Sequence, residues 1–276
     1  MYLFYNQKFH LANTPIIPAS SKALRYGELV FETIKYSHNK LFFVEHHYNR
    51  LIQAANLLQL NIPIHFTQKT LEQNINNLLA KNKLSTARVR VTLHKGEGGL
   101  FENDEKATNL LIETYNLPTP NYEWNSNGLD ICLYSAINKT TDTYSNYKTG
   151  NYLVYNMAAL YAKQQKCNEA ILLNTNNKVC DGTISTIFLV KNNTLITPPL
   201  SDGGVAGIMR QHIINHTETI QQSITINDVI AADEVVLTNV IKGLQWVKQY
   251  EDKKYENNYL LQLYNQIIVP LNQPFN

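Results

Sequence analysis

Between Glu45 and Leu60, apolar side chains recur three and four residues apart. Tyr48, Leu51, Ala55 and Leu58 share one face, which predicts a helix with Arg50 off the apolar stripe. Leu71, Ile75, Leu78 and Leu79 predict a second amphipathic helix. The period then drops to two: Arg88-Val89-Arg90-Val91-Thr92-Leu93-His94 alternates as a strand with one buried face, and it runs into the glycine loop Lys95-Gly96-Glu97-Gly98-Gly99. Upstream, residues 24–36 end in a strand-like run, Asn39 marks a turn, and Leu41 to Val44 reads as a second short strand. A further strand is expected from Asn109 to Tyr115.

Leu117 to Gly128 reads as a linker, because Pro118, Pro120, Asn121, Asn125, Asn127 and Gly128 favour turns over regular structure. This divides the chain into a smaller N-terminal domain, 1–116, and a larger one, 129–276. In the second part Leu129 to Ser135 reads as a strand, and Asn151 to Gln165 as a helix with Leu153, Met157 and Leu160 on one side. Ala170 to Leu173 and Thr183 to Val190 read as strands joined by the hairpin-type segment 174–178. Gly207 to His216 reads as a helix, and Glu234 to Leu237 as a strand leading into Thr238-Asn239. Strands and helices mixed in both parts place the chain in the α+β / α/β class, with two domains and no internal repeat.

Composition narrows the function. The 276 residues suffice for a substantial core, and 44% hydrophobic content is ordinary for a globular chain. A net charge of +2 gives no reason to expect nucleic acid or membrane lipid as a partner. No apolar segment is long enough for a bilayer span, and the N-terminus lacks a basic region followed by an apolar run, so a cytoplasmic location is expected. Cys132, Cys167 and Cys180 lack CxxC spacing, which favours a reducing compartment. The histidines show no HExxH, and His46 and His47 point in different directions on a helix, so no metal site is expected.

The chemistry concentrates between Tyr147 and Gln211. Lys148 sits in the aromatic-flanked turn Tyr147-Lys148-Thr149-Gly150-Asn151-Tyr152; Asp181 opens the small-residue run Asp181 to Thr186; Gly203, Gly204 and Gly207 surround a helix start at Ile208-Met209-Arg210. An amine, a carboxylate and an anion-binding helix end are the parts of a pyridoxal phosphate site. Each part also has a plainer reading. A single lysine is ordinarily a solvated group, Asp-Gly is a turn signal, and glycines permit tight turns. Arg50 is a phosphate ligand or a residue of a solvated face, and Thr238-Asn239 completes a phosphate cup or simply makes a turn. No P-loop, GxGxxG or GxSxG pattern is present.

Six motifs in order resemble the class IV aminotransferases, the fold-type-IV pyridoxal phosphate enzymes. Arg25 to Thr33 resembles the family's opening strand, and His46-His47-Tyr48-Asn49-Arg50-Leu51 its histidine–arginine–leucine helix. Lys148 stands where the family has its cofactor lysine, and Val179 to Phe188 resembles the run that carries the carboxylate. Thr197-Pro198-Pro199 and Gly207-Ile208-Met209-Arg210 resemble the threonine–proline and phosphate-helix motifs. Within the family, Gly204 to Gln211, the glycine loop at 95–99 and Ala232 to Asn239 resemble aminodeoxychorismate lyases. Tyr152 beside Asn151 is similar to the branched-chain aminotransferases. The chain departs from the family pattern at Asp181, where glutamate is usual, at Thr186, where asparagine is usual, and at Leu100-Phe101-Glu102, where the lyases carry arginine, glycine and an aromatic residue.

The resemblance implies a two-domain fold like that of D-amino-acid aminotransferase, a homodimer and pyridoxal 5'-phosphate. It implies Lys148 as the catalytic residue, with Arg50, Tyr152, Asp181, Ile208, Met209, Thr238 and Asn239 around the cofactor. Tyr26, Lys35, Arg90, His94 and the 96–102 loop are substrate-side candidates, Arg90 being equally readable as a solvent-facing strand residue. The implied reaction is pyruvate elimination from aminodeoxychorismate, with branched-chain or D-amino-acid transamination as the alternative. A relative that binds the cofactor without turnover is a third reading.

Overall fold

The computed structural model describes residues 1–102 and 108–273. Two compact units emerge: Met1–Pro120 with Tyr147–Asn151, and Asn121–Asn146 with Tyr152–Asn276. The short excursion at 147–151, which carries Lys148, adds to the division at residues 117–128 read from the sequence.

The first unit contains β1 (Tyr2–Tyr5), β2 (Lys8–Leu11), α1 (Lys22–Tyr26), β3 (Leu29–Ser37), β4 (Lys40–Leu41), α2 (Val44–Leu57), α3 (Gln68–Asn82), β5 (Ala87–His94) and β6 (Asn109–Asn116). Its six strands form one antiparallel sheet in the order β2-β1-β6-β5-β3-β4. Alternation gives that sheet two unlike faces. Val30 and Ile34 of β3, Val89, Val91 and Leu93 of β5 and Ile112 of β6 meet the apolar stripes of α2 and α3 in one core. Each fully buried Leu or Ile there is worth roughly 1.5–3 kcal/mol. A reciprocal cap starts α3: Thr67 Oγ1 accepts from Thr70 N at 3.2 Å, and Thr70 Oγ1 accepts from Thr67 N at 2.8 Å. The opposite face carries the other parity, including Phe31, Thr33, Lys35, Arg90 and His94.

The second unit contains β7 (Leu129–Lys139), α4 (Leu153–Gln164), β8 (Glu169–Asn174), β9 (Val179–Gly182), β10 (Thr186–Lys191), β11 (Thr194–Thr197), α5 (Ile208–His216), β12 (Thr219–Gln221), α6 (Ile226–Ala231), β13 (Glu234–Asn239), β14 (Gly243–Tyr250), β15 (Lys253–Lys254) and α7 (Asn258–Leu263). The sheet runs β12-β11-β10-β13-β14-β7-β8-β9, with β15 on β14. Both faces are covered, one by a core that includes Ile187, Leu189, Val235, Leu237 and Val229, the other by Ala158, Ala162 and Tyr155 of α4. Strands buried on two faces read as unbroken apolar runs, as Ile187 to Val190 does.

Three expectations change. Leu41 to Val44 is not a strand, since β4 is Lys40–Leu41 and α2 begins at Val44. Thr183 to Val190 is not one strand hairpinned to 170–173. β9 pairs with β8, placing Leu172 opposite Asp181, while β10 pairs with β11 and β13. The break at 183–185 is a tight turn in which Gly182 N donates to Ser185 O at 2.7 Å. The buried Glu169 carboxyl holds it, accepting from Ser185 Oγ at 2.8 Å and Ile184 N at 3.3 Å. In α4, the stripe of Leu153, Met157 and Leu160 is exposed, because the helix packs through the smaller Ala158 and Ala162 together with Tyr155.

Candidate active site

In the first unit, the segment around Lys148 extends the sheet at the edge of β3. Phe31 N donates to Lys148 O at 2.8 Å, Gly150 N donates to Leu29 O at 2.9 Å, and Val30 bridges Thr149. Only glycine fits at 150, since a Cβ there would lie 2.4 Å from the Gly27 carbonyl oxygen. Gly27 itself ends α1 at φ +71°, the left-handed region open to glycine. The Lys148 Nζ stands 4.7 Å from the Phe31 ring centroid. The Lys148 backbone is thus fixed by strand-type hydrogen bonds.

On the helix-covered side, Arg50 is buried rather than solvated. Its Nε donates to Glu32 Oε1 and its Nη2 to Glu32 Oε2, both at 2.7 Å. His47 Nδ1 lies 2.6 Å from the same Oε2. Burial opposes the Glu32 charge, but the Arg50 charge, with hydrogen bonds from Arg50 and His47, outweighs it and holds the carboxyl at about 2. Burial pushes the His47 pKa below the usual histidine value against the pull of Glu32, so the ring is neutral, with Nδ1–H donating to the carboxylate. Lys148 acts in the same downward direction on His47, which puts its ammonium within electrostatic reach of the pair. Arg50 therefore projects from α2 in one fixed, bidentate orientation.

Three of the substrate-side candidates share the other face of this sheet. The Arg90 guanidinium lies 3.7 Å from the Phe31 centroid, a cation–π geometry, and Lys35 is buried on β3. His94 stacks on Tyr5 at 5.9 Å, its Nδ1 is 2.9 Å from Lys95 O, and its Nε2 has no partner among the described residues. Tyr26 ends α1 and is 40% exposed. The glycine loop is tied to α1: Lys22 Nζ donates to Glu102 O at 2.8 Å, and the Glu102 carboxylate accepts from Gly99 N at 2.9 Å.

In the second unit the centre is Asp181, 3% exposed on β9. Its Oδ2 accepts from Tyr155 Oη at 2.9 Å and from Val205 N at 3.0 Å. Lys139 Nζ approaches the same oxygen at 4.0 Å and donates to the carbonyls of Ser145 and Gly203. Burial and the neighbouring Asp181 charge raise the Tyr155 pKa well above the usual phenol value, so Tyr155 remains a donor. Burial, with Asp181 adding to it, raises Cys180 to about 12 and keeps its thiol protonated. Tyr152 stacks on Tyr155 at 4.4 Å and precedes α4. α5 begins at Gly207 with no side-chain cap, so the Ile208 and Met209 amides occupy the first turn, where no intrahelical acceptor exists. Thr238 Oγ1 donates to Gly243 O at 2.8 Å, and Asn239 Oδ1 accepts from Ile241 N and Lys242 N, so both side chains build the turn between β13 and β14.

Sequence reasoning misses Glu32, His47, Lys139 and Tyr155 as parts of this machinery. Glu32 carries a usable signal: it shares strand parity with Val30 and Ile34, and an acid in an apolar series needs a partner. Tyr155 carries none, because the conspicuous apolar stripe of α4 is the other one.

The first unit thus holds a lysine on a fixed backbone and an arginine aimed by a buried acid, and the second a buried carboxylate and an uncapped helix start. The chain matches the Amino-transferase class IV family over residues 29–250 and belongs to it. A Methanocaldococcus jannaschii protein described as a putative branched-chain-amino-acid aminotransferase is 27% identical over 263 residues, covering 93% of this chain and 90% of the relative. The aminodeoxychorismate lyase of Vibrio harveyi is 23% identical over 233 residues, covering 83% and 85%. The crystal structure of a T.th. branched-chain amino acid aminotransferase with pyridoxamine 5'-phosphate superimposes with a TM-score of 0.88 at 21% identity, covering 99% of this chain and 94% of that one. No helix among the described residues is long and apolar enough to cross a membrane.

Proposed function

We propose that the chain is a pyridoxal-phosphate-dependent enzyme that eliminates pyruvate from aminodeoxychorismate and leaves 4-aminobenzoate. The residues suit the cofactor: a buried guanidinium and a side-chain-free helix start are phosphate donors, and a buried carboxylate fed by two neutral donors suits a ring nitrogen. When bound, pyridoxal phosphate supplies an electron sink for the carbanion left by α-proton loss.

In this reading Lys148 Nζ would hold the cofactor and would serve as the base and acid for the substrate α-proton. Arg50, fixed by Glu32, and the Ile208 and Met209 amides hold the phosphate. Asp181 would be the partner of the ring nitrogen, its carboxylate fixed by Tyr155 Oη and Val205 N. Tyr152, Thr238 and Asn239 shape the surroundings of the cofactor. Arg90, half-buried on the face of β5 opposite the core and with Glu113 across from it, suits a substrate carboxylate, and Lys35, buried on the same face, adds positive charge beneath it. Arg90 is the observation that favours the lyase over a purely aliphatic amino acid, with Tyr26 and His94 as further substrate-side candidates. A homodimer is part of the proposal, to be read as sedimentation at twice the chain mass.

Transamination is the second reading, favoured by the 27% identity to the Methanocaldococcus jannaschii relative over 93% of this chain. One assay separates the two. The cofactor-loaded protein is given aminodeoxychorismate, with an amino-acid and 2-oxoglutarate panel that includes branched-chain and D-amino acids beside it. Aminobenzoate formation with a silent panel supports the lyase. Keto-acid formation without aminobenzoate makes the protein a transaminase.

A further inference from the structure

Lys139 is a buried cation for which neither the family motifs nor the proposed reaction has a use. It ends β7, is 7% exposed, and sends its three ammonium hydrogens toward three oxygens: the Ser145 carbonyl at 2.9 Å, the Gly203 carbonyl, and Asp181 Oδ2 at 4.0 Å. Its Nζ also lies 5.2 Å from the Tyr155 ring centroid. The two carbonyls alone account for a staple between two loops. They do not account for a full positive charge set 4.0 Å from the carboxylate that is the centre of this unit. Two neutral donors, Tyr155 Oη and Val205 N, already satisfy that oxygen. Placing a charge inside the protein carries a large desolvation cost unless it is compensated, and the carboxylate within 4.0 Å of this ammonium is Asp181.

Resting on the reading of Asp181 as the partner of the cofactor ring nitrogen, we propose that Lys139 is a positioning residue that sets how firmly that nitrogen holds its proton. A lone carboxylate against a pyridine nitrogen favours the pyridinium strongly. A carboxylate paired with a fixed ammonium presents a nearly neutral ion pair, so the proton is held less firmly. The charged groups acting in this cluster are Asp181 from β9, Lys139 from β7, Arg210 from α5, whose guanidinium is anchored on the Pro198 carbonyl and Gln221, and the buried Asp202, which acts with Lys139 and Asp181 on Cys180. The shorter aspartate keeps its carboxylate close to its own strand, within reach of Lys139. The pair thus supplies a ring nitrogen that both loses and regains its proton near neutral pH.

The test is the 15N chemical shift of the ring nitrogen, followed against pH in protein loaded with 15N-labelled pyridoxal phosphate. Wild type should show a protonation midpoint inside the range from about pH 6 to pH 9, and a nitrogen that stays protonated throughout overturns the proposal. Lys139→Gln keeps donors for the Ser145 and Gly203 carbonyls but removes the charge, and should raise the midpoint by about one pH unit or more. Lys139→Arg, which restores the charge, should return it toward wild type. An unmoved midpoint in the glutamine variant, or an arginine variant displaced as far as the glutamine one, reduces Lys139 to a staple and overturns the proposal. If the glutamine variant does not fold, the wild-type midpoint still decides. Asp181→Asn tests the underlying reading separately. An unmoved midpoint there, or failure of the labelled cofactor to bind wild type, removes Asp181 from the ring and the proposal with it.

Discussion

Lys148 and Arg50 show how far single residues can be read. The neighbours of Lys148 in the sequence single it out, and the structure fixes its backbone against Phe31 and Leu29. Arg50, a cation off an apolar stripe, is equally consistent in sequence with a solvated face. Its burial becomes legible only with Glu32, 18 residues away, opposite it. A one-dimensional periodicity records which face a residue is on, not which charge waits across the core. If Lys148 Nζ is both the covalent anchor and the proton carrier, Lys148→Ala should lose the absorbance of covalently held cofactor. Turnover should fall by at least about 10²–10⁴-fold, the range for loss of a proton-transfer group alone. The bonds that hold this segment are backbone bonds that alanine keeps, so the fold of this variant should stay intact, which circular dichroism checks. A covalent-cofactor absorbance that survives in the variant assigns the chemistry to another amine.

Elements are more legible than their partners. The helical period of α2 and α3 and the alternation of β5 survive in the structure because each has one apolar face turned to the core and one polar face, although Thr92 and His94 on the polar face of β5 are also buried. β9 goes unread because Asp181-Gly182 reads as a turn, and β10 is read three residues early because the true turn, Thr183-Ile184-Ser185, carries no strong breaker and is held by the distant Glu169. The excursion at 147–151 is the element that most exposes the limit of sequence, since its strand-like pairing depends on a free edge of β3 and on two glycines that meet. Gly150 has little room to change: a methyl at that position would sit 2.4 Å from the Gly27 carbonyl, and backbone cannot swing away as a flexible side chain can. Gly150→Ala should therefore cost about 1–3 kcal/mol by overpacking and loosen the hydrogen bonds that fix Lys148. Denaturant titration should show the loss as a lower midpoint at unchanged slope, and cofactor retention should weaken in parallel. A variant as stable as wild type that keeps its cofactor shows that the Gly27–Gly150 contact does not position the lysine.

At the scale of the whole molecule, the buried Glu32–His47–Arg50 cluster predicts how the fold responds to acid. The signs differ in origin but agree in direction. His47 is held neutral in the folded state, with its pKa below 6.5, so the unfolded chain takes up a proton first as pH falls. Each proton of difference costs at most about 1.4 kcal/mol per pH unit, and this loss begins near pH 6.5. Glu32 follows lower down. Its folded value of about 2 against an ordinary 4.5 gives stability that is fully present above 4.5 and is lost as pH falls toward 2. Integrated over that interval the contribution is about 3 kcal/mol, undiminished by solvent because the carboxyl is buried. Stability against pH should therefore show two acid limbs, an upper one from His47 and a lower one from Glu32. His47→Asn separates them, since the asparagine amide can still donate to Glu32 but does not titrate. The upper limb, between about pH 6.5 and 4.5, should flatten by up to one proton's slope while the lower limb persists. The measurement is urea unfolding repeated at half-unit pH steps. An upper limb as steep in the asparagine variant as in wild type means that His47 does not stay neutral in the fold, and the orientation of Arg50 would then rest on an imidazolium rather than on a neutral ring.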